Sequence, residues 1–413
     1  MKNLVKKAKI AQKELINLTP IIKENLILEI AKEINLAKDE ILKANEKDLE
    51  FAKEKNLSSA MFERLKLDEK KLNTISASLK DTAKLKDPIG KVLDGWVNYA
   101  GLKFNKVSIP IGVVCIIYES RPNVTTEVAS LCLKSSNSCV LKGGSESKNS
   151  NLALVKCIHK ALDKFNIDRS VVTYLSDFTH EDTAKLIKLD KFIDVIVPRG
   201  SSNLVKFISE NSTIPVIKHD KGMCHIFVDK STKLDMALKI CENAKFNNPS
   251  ACNAVETILV HEDIASEFIP ALGIKFTALG AKIYSCKKSA KFLNSNFELA
   301  NKESYDTEYL GLALNLKIVK DVNEAVEHIK EFGSDHSEAI LSQNSINIEI
   351  FMNELDSACL YVNASTRFSD GYEFGFGAEV GISTNKLHVR GPMGLEGLTT
   401  YKYKIVGNGQ IRE

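Results

Sequence analysis

The sequence predicts an α/β protein built from two doubly wound, Rossmann-type domains, with a β-hairpin arm inserted in the first. Three observations predict it. Short, near-continuous apolar runs such as Val113-Val-Cys-Ile-Ile-Tyr118 and Phe192-Ile-Asp-Val-Ile-Val197 alternate with amphipathic helical stretches. Strands apolar on both faces are those covered on both sides, as in a parallel sheet. The alternation occurs twice, from Gly112 to about Asp229 and from Leu234 to about Leu360. The chain, with 413 residues of which 44% are hydrophobic and 26% charged, is long enough for two such cores and ordinary in composition.

Taken in order, the stretch up to about Asp87 is helical, with apolar residues recurring in Leu26-Ile-Leu-Glu-Ile-Ala31 and Ile34-Asn-Leu36 and no strand signal. Its lysines alternate with glutamates at helical spacing, which marks a solvated face. Leu93 to Ile109 forms two alternating runs joined around Gly101, a β-hairpin that carries the sole Trp, Trp96, and reads as an oligomerisation arm. The first sheet follows, through Val113–Tyr118, a helix over Val128–Leu133, Cys139–Lys142, Val171–Leu175 and Phe192–Val197. Asp229-Lys-Ser-Thr232 reads as the boundary, giving a nucleotide-binding domain over 1–229, with the hairpin 93–109 inserted, and a second domain over 230–395. The segment 396–413 contains Thr399-Thr-Tyr-Lys-Tyr-Lys-Ile-Val406, which alternates like an edge strand and is expected to pair with the Trp96 hairpin of another subunit. There are no internal repeats.

Composition excludes several functions. A net charge of +3 from 56 basic and 53 acidic residues leaves no surplus to recruit nucleic acid or an anionic membrane. No long apolar span or cleavage site follows Met1, so a cytoplasmic protein is expected. Nine cysteines without C-x-x-C or clustered Cys/His spacing fit a reducing compartment and no metal.

Candidate chemistry gathers at four turns. Cys252, in Phe246-Asn-Asn-Pro-Ser-Ala-Cys-Asn-Ala-Val-Glu-Thr257, follows Asn-Pro turn chemistry and precedes a strand, where a thiolate can attack an acyl carbon; a small buried hydrophobe is the other reading of such a residue. Gly200 and Ser201, in Val197-Pro-Arg-Gly-Ser-Ser-Asn-Leu204, follow a buried strand and open a helix, as an anion site or as a simple helix cap. In Val140-Leu-Lys-Gly-Gly-Ser145, Lys142 ends a strand beside two glycines, placed either to reach a ribose or phosphate or as a surface lysine. Asn123, in Tyr118-Glu-Ser-Arg-Pro-Asn-Val124, lies at the carboxyl edge of the sheet, as an oxyanion donor or a turn residue.

These segments, with Ile111–Asn123, Ile214–His225, Asp306–Leu310, Gly333–Glu338, Tyr361–Gly371 and His388–Gly394, resemble in order and spacing the aldehyde dehydrogenase superfamily, and within it the branch acting on γ-glutamyl phosphate. The resemblance implies an aldehyde dehydrogenase-like fold, with Cys252 as nucleophile and Asn123 with the Cys252 backbone N–H as the oxyanion hole. It implies Lys142 and Glu308 at the cofactor ribose, and Gly200 and Ser201 by the pyrophosphate. Ser145 stands where NAD-preferring members place a glutamate that would repel a 2′-phosphate, so NADPH is implied. His219 falls where oxidising members carry a water-activating glutamate, if Gly222 matches the second glycine of that segment. Arg121 and Arg367 are candidates for the substrate's carboxylate or phosphate, or else surface ion pairs. The implied activity is NADPH-dependent reduction of γ-glutamyl phosphate to glutamate 5-semialdehyde through a cysteine thioester, the second step of proline biosynthesis. The implied partners are glutamate 5-kinase and further copies of the chain. The alternative, an NAD(P)-dependent dehydrogenase of another aldehyde, should carry a carboxylate where His219 lies.

Overall fold

The computed structural model describes residues 1–218, 221–294 and 297–412, which fall into two compact units. The first comprises Met1–Lys218, Gly375–Gly381 and Leu387–Glu413; the second comprises His219–Phe374 and Ile382–Lys386.

The first unit starts with five helices, α1 (Lys2–Ile16), α2 (Pro20–Leu36), α3 (Lys38–Glu54), α4 (Ser59–Leu65) and α5 (Glu69–Lys84). Their starts are set by local chemistry. Thr19 Oγ1 accepts from Ile22 N ahead of Pro20, and Asp68 Oδ1 accepts from Lys71 N at 2.7 Å. Leu26, Ile27, Ile30 and Ile34 of α2 and Leu72, Ile75 and Leu79 of α5 recur at helical spacing and are buried in one core.

The hairpin follows as β1 (Val92–Val97) and β2 (Lys103–Pro110), antiparallel, with Trp96 opposite Phe104 and their rings stacked at 5.1 Å. The strand Thr399–Val406 does not wait for another subunit, as the sequence reading expected. It pairs antiparallel along the whole of β2 in its own chain, from Thr399 opposite Pro110 to Val406 opposite Lys103. Alternation identifies an edge strand but says nothing about which chain supplies its partner.

The rest of this unit is a parallel sheet, β3 (Val113–Tyr118), β4 (Ser138–Gly143), β5 (Val172–Tyr174) and β6 (Val195–Arg199), in the order β5-β4-β3-β6. It is interleaved with α6 (Pro122–Lys134), α7 (Lys148–Lys164), α8 (His180–Leu186) and α9 (Ser202–Asn211). Val114, Ile116 and Tyr118 enter one apolar cluster while Val113, Cys115 and Ile117 enter another, so β3 is covered on both faces, as its continuous apolar run predicts. The order reverses beside β3, which places a switch point at the carboxyl ends of β3 and β6.

The second unit holds a seven-stranded parallel sheet: β7 (Cys224–Val228), β8 (Val255–His261), β9 (Lys282–Ser285), β10 (Phe297–Leu299), β11 (Ala313–Val319), β12 (Ser337–Leu341) and β13 (Cys359–Val362), in the order β10-β9-β11-β8-β7-β12-β13. The helices α10 (Leu234–Phe246), α11 (Ala265–Ala278), α12 (Lys302–Tyr305), α13 (Val322–Phe332) and α14 (Ser345–Glu354) connect them. The units divide after Lys218 rather than at residue 229, because β7 pairs with β8 and β12 of the second sheet. Asp229 is no linker residue: its buried carboxylate accepts from Ser231 Oγ, Ser342 Oγ and Asn347 Nδ2. No disulfide forms among the described residues, and no helix among them is long and apolar enough to cross a membrane.

Candidate active site

In the first unit, Asn123, Arg121, Lys142, Ser145, Gly200 and Ser201 all lie at the carboxyl ends of β3, β4 and β6 or on the turns leaving them. The turn after β3 is constrained. Ser120 is buried at φ 43°, a conformation that L residues adopt only when held, and Glu146 Oε1 holds it by accepting from Ser120 N at 2.6 Å and Ser120 Oγ at 2.8 Å. Two residues on, Pro122 opens α6 and Asn123 takes its first turn, with Arg121 at the cap position. Asn123 Nδ2 donates to Glu127 Oε1 and Oε2 at 3.1 and 3.2 Å, one helical turn along. One amide N–H is thereby fixed and the second stays directed by it. Burial raises the Glu127 pKa, against the Asn123 hydrogen bond and the charges of Arg199 and Arg121.

Lys142 Nζ makes one hydrogen bond, to Gly143 O at 3.0 Å. Two of its three N–H groups remain among the described residues, a donor set that fits vicinal ribose hydroxyls. Desolvation lowers the Lys142 pKa while Glu146 and Asp182 oppose it. Ser145 is exposed, and the carboxylate beside it in sequence, Glu146, turns inward over Gly144, whose missing Cβ leaves it room. At the switch point, Glu119 Oε2 accepts from Ser201 N at 2.7 Å, and a Cβ on Gly200 would lie 2.6 Å from that same oxygen. The helix N-terminus expected to receive a phosphate thus already meets a carboxylate of its own chain. Arg199, at the end of β6, has a buried Nε with no hydrogen-bond partner among the described residues.

In the second unit, Cys252 is half-buried on the turn between α10 and β8. The turn is shaped by Ala251 N to Asn248 O and Ala254 N to Ala251 O. The Cys252 carbonyl accepts from Cys224 Sγ at 3.3 Å, and Gly222 packs so closely on it that a Cβ there would run into that oxygen. Gly222 N donates to Glu308 Oε1 at 2.9 Å. Burial raises the Glu308 pKa, opposed by the Gly222 hydrogen bond and by Lys221 and Lys245. On the other side, buried Asn253 donates from Nδ2 to Ser369 O at 2.9 Å and to Arg367 O at 3.3 Å, while Arg367 Nε reaches Asn247 Oδ1 at 3.1 Å. Cys252, Glu308 and Arg367 are therefore brought together around one turn. His219 lies outside the described residues.

Glu119, Glu127, Glu146, Lys245 and Glu256 are not among the candidates that the sequence offers. Glu127 was readable, being four residues after Asn123 on a helix. Glu256 was readable as the one carboxylate in the strand-like run Val255–His261. Glu119 and Glu146 gave no signal, since their partners come from other strands and turns.

The model of the aldehyde dehydrogenase family matches residues 1–283. The chain is similar over its full length, covering all of each relative, to the γ-glutamyl phosphate reductases of Nautilia profundicola, at 49% identity, and of Nitratiruptor sp., at 51%. It superposes on the crystal structure of γ-glutamyl phosphate reductase from Thermotoga maritima with a TM-score of 0.97 at 42% identity, covering 100% of this chain and 99% of that one. Two parallel sheets, a half-buried cysteine on a turn between helix and strand, and these full-length likenesses agree: the chain belongs to the aldehyde dehydrogenase family.

Proposed function

We propose that this chain reduces γ-glutamyl phosphate to glutamate 5-semialdehyde and inorganic phosphate with NADPH, the second step of proline synthesis from glutamate. The observation that carries the reading is the full-length match, at 49 and 51% identity, to two γ-glutamyl phosphate reductases. The Cys252 thiolate attacks the acyl carbon, the carbon–oxygen bond to phosphate breaks, and the acyl group is held as a thioester. Asn123, its amide oriented by Glu127, donates to the oxygen that gains charge in each addition, as does the Cys252 N–H; one such donor contributes about 10²–10³ in rate. A reduced nicotinamide, when bound, supplies the hydride that converts the thioester carbonyl to a thiohemiacetal. Its collapse returns the thiolate and frees the aldehyde.

Lys142 is assigned to the cofactor ribose, Ser145 to the space beside its 2′ position, and Gly200 with Ser201 to the pyrophosphate, where binding displaces Glu119. The resemblance also assigns Glu308 to the ribose; its hydrogen bond to Gly222 supports instead a role in holding the Cys252 turn. Arg121 and Arg367 are assigned to the substrate's anionic groups, and His219 to the position from which a hydrolytic base has been removed. The exposed Trp96, Tyr401, Tyr403 and Ile405 on the hairpin sheet support assembly with further copies of the chain. A cytoplasmic location and supply of the labile acyl phosphate by glutamate 5-kinase complete the proposal.

The test is the reverse reaction. Glutamate 5-semialdehyde should reduce NADP only when phosphate is present, and NAD far more slowly. NADP reduction independent of phosphate would identify an aldehyde dehydrogenase of the hydrolytic kind and overturn the reading.

A further inference from the structure

Lys245 stands in the last turn of α10 and Glu256 is the second residue of β8, so the two flank the turn that carries Cys252. Their side chains are 0 and 1% exposed, and Lys245 Nζ meets Glu256 Oε2 at 2.9 Å. Burial lowers the pKa of Lys245 and pushes that of Glu256 up to about 7, the opposite charge resisting burial in each case. Stability alone does not call for such a pair, because apolar side chains of similar volume hold a buried place as well or better. What a charged pair adds is a directional link of fixed length.

Glu256 extends the link. Its other oxygen, Oε1, accepts from Leu310 N at 3.4 Å, and Leu310, at φ 50°, lies two residues beyond Glu308. The same segment is tied down by Asn315, which donates from Nδ2 to Ser304 O at 2.9 Å and to Thr257 Oγ1 at 3.3 Å. Glu308 holds Gly222 N, and Gly222 bears on the Cys252 carbonyl. The circuit from Lys245 through Glu256, Leu310, Glu308 and Gly222 therefore returns to Cys252. We infer that the Lys245–Glu256 pair is a positioning device for the nucleophile, tying the two ends of the Cys252 turn to each other and to the Glu308 segment, which rests on Cys252 being that nucleophile.

The test is the double variant K245M/E256L, which removes both charges and leaves neither partner stranded. It should fold, with a circular dichroism spectrum like the parent's. Its kcat should fall at least tenfold while KM for NADPH stays within twofold, and amide hydrogen exchange over 247–254 should accelerate at least tenfold with the other strands of the sheet unchanged. A kcat within threefold of the parent, or unchanged exchange over the turn, overturns the inference. So does failure of the double variant to fold, which would make the pair a requirement of the fold. C252S measured in parallel separates the two claims: an active C252S removes the nucleophile, whereas unaltered exchange over 247–254 removes the positioning device.

Discussion

Replacing Gly222 by alanine perturbs the nucleophile through one atom. Gly222 does not have a positive φ, so alanine adopts its backbone conformation without strain and only the contact changes. The new Cβ would run into the Cys252 carbonyl oxygen, and would sit 2.7 Å from its carbonyl carbon and 2.8 Å from its Cα. Non-bonded carbons settle about 3.5–4.0 Å apart, so the Cys252 backbone must retreat by roughly 1 Å. Displacing a reacting group by about 1 Å costs about 10²-fold in rate. That corresponds to about 2.7 kcal/mol of barrier. The loss of stability should be smaller in its consequence, about 1–3 kcal/mol for an added methyl in a packed place. The assay is steady-state NADP reduction by the semialdehyde with saturating phosphate, alongside a thermal melt. G222A should lose about 10²-fold in kcat, remain folded, and keep its KM for NADP. A folded G222A with kcat within threefold of the parent would refute the reasoning, since the contact would then not govern where the thiol lies.

C252S should bind NADPH as the parent does, by fluorescence titration, while losing more than about 10³-fold in turnover, because a hydroxyl is a far poorer nucleophile than a thiolate; turnover within a few-fold would make Cys252 structural. E127A should lose about tenfold in kcat by releasing the Asn123 amide, whereas E127Q, which still offers an oxygen, should stay near the parent. Equal effects of the two would show that Glu127 does not orient Asn123. S145E should shift the NADPH/NADH ratio of kcat/KM toward NADH by placing a carboxylate where a 2′-phosphate binds; an unchanged ratio would mean the adenosine ribose lies elsewhere.

The strands were legible because a parallel sheet covered on both faces forces long apolar runs, and Val113–Tyr118 and Val195–Val197 carry that signature whatever surrounds them. The Cys252 turn was legible for a similar reason, since Asn248-Pro-Ser chemistry interrupts the apolar pattern on both sides. What could not be read were pairings between residues far apart. The tail strand's partner, the inward fold of Glu146 onto Ser120, the seat of Glu119 on Ser201 N and the approach of Gly222 to Cys252 all depend on how elements are brought side by side. The boundary was misplaced for the opposite reason. Asp229-Lys-Ser-Thr232 has the composition of a linker, but its polar groups are spent on Ser342 and Asn347 just beyond the carboxyl ends of β7 and β12.

The pairing of Thr399–Val406 with Lys103–Pro110 sets a schedule for biosynthesis. On a ribosome adding about 5–20 residues per second, the hairpin emerges roughly 15 to 60 s before its third strand does. For that interval β2 presents an unpaired edge bearing Phe104 and Val107, next to Trp96 and Val97, which is the kind of edge that recruits strands from other nascent chains. The lysines at positions 103 and 106 lie along that edge and oppose such recruitment by charge. A chain interrupted before residue 399 would keep both sheets of its two units and yet carry this edge permanently, so its fate would be decided by aggregation rather than by loss of chemistry.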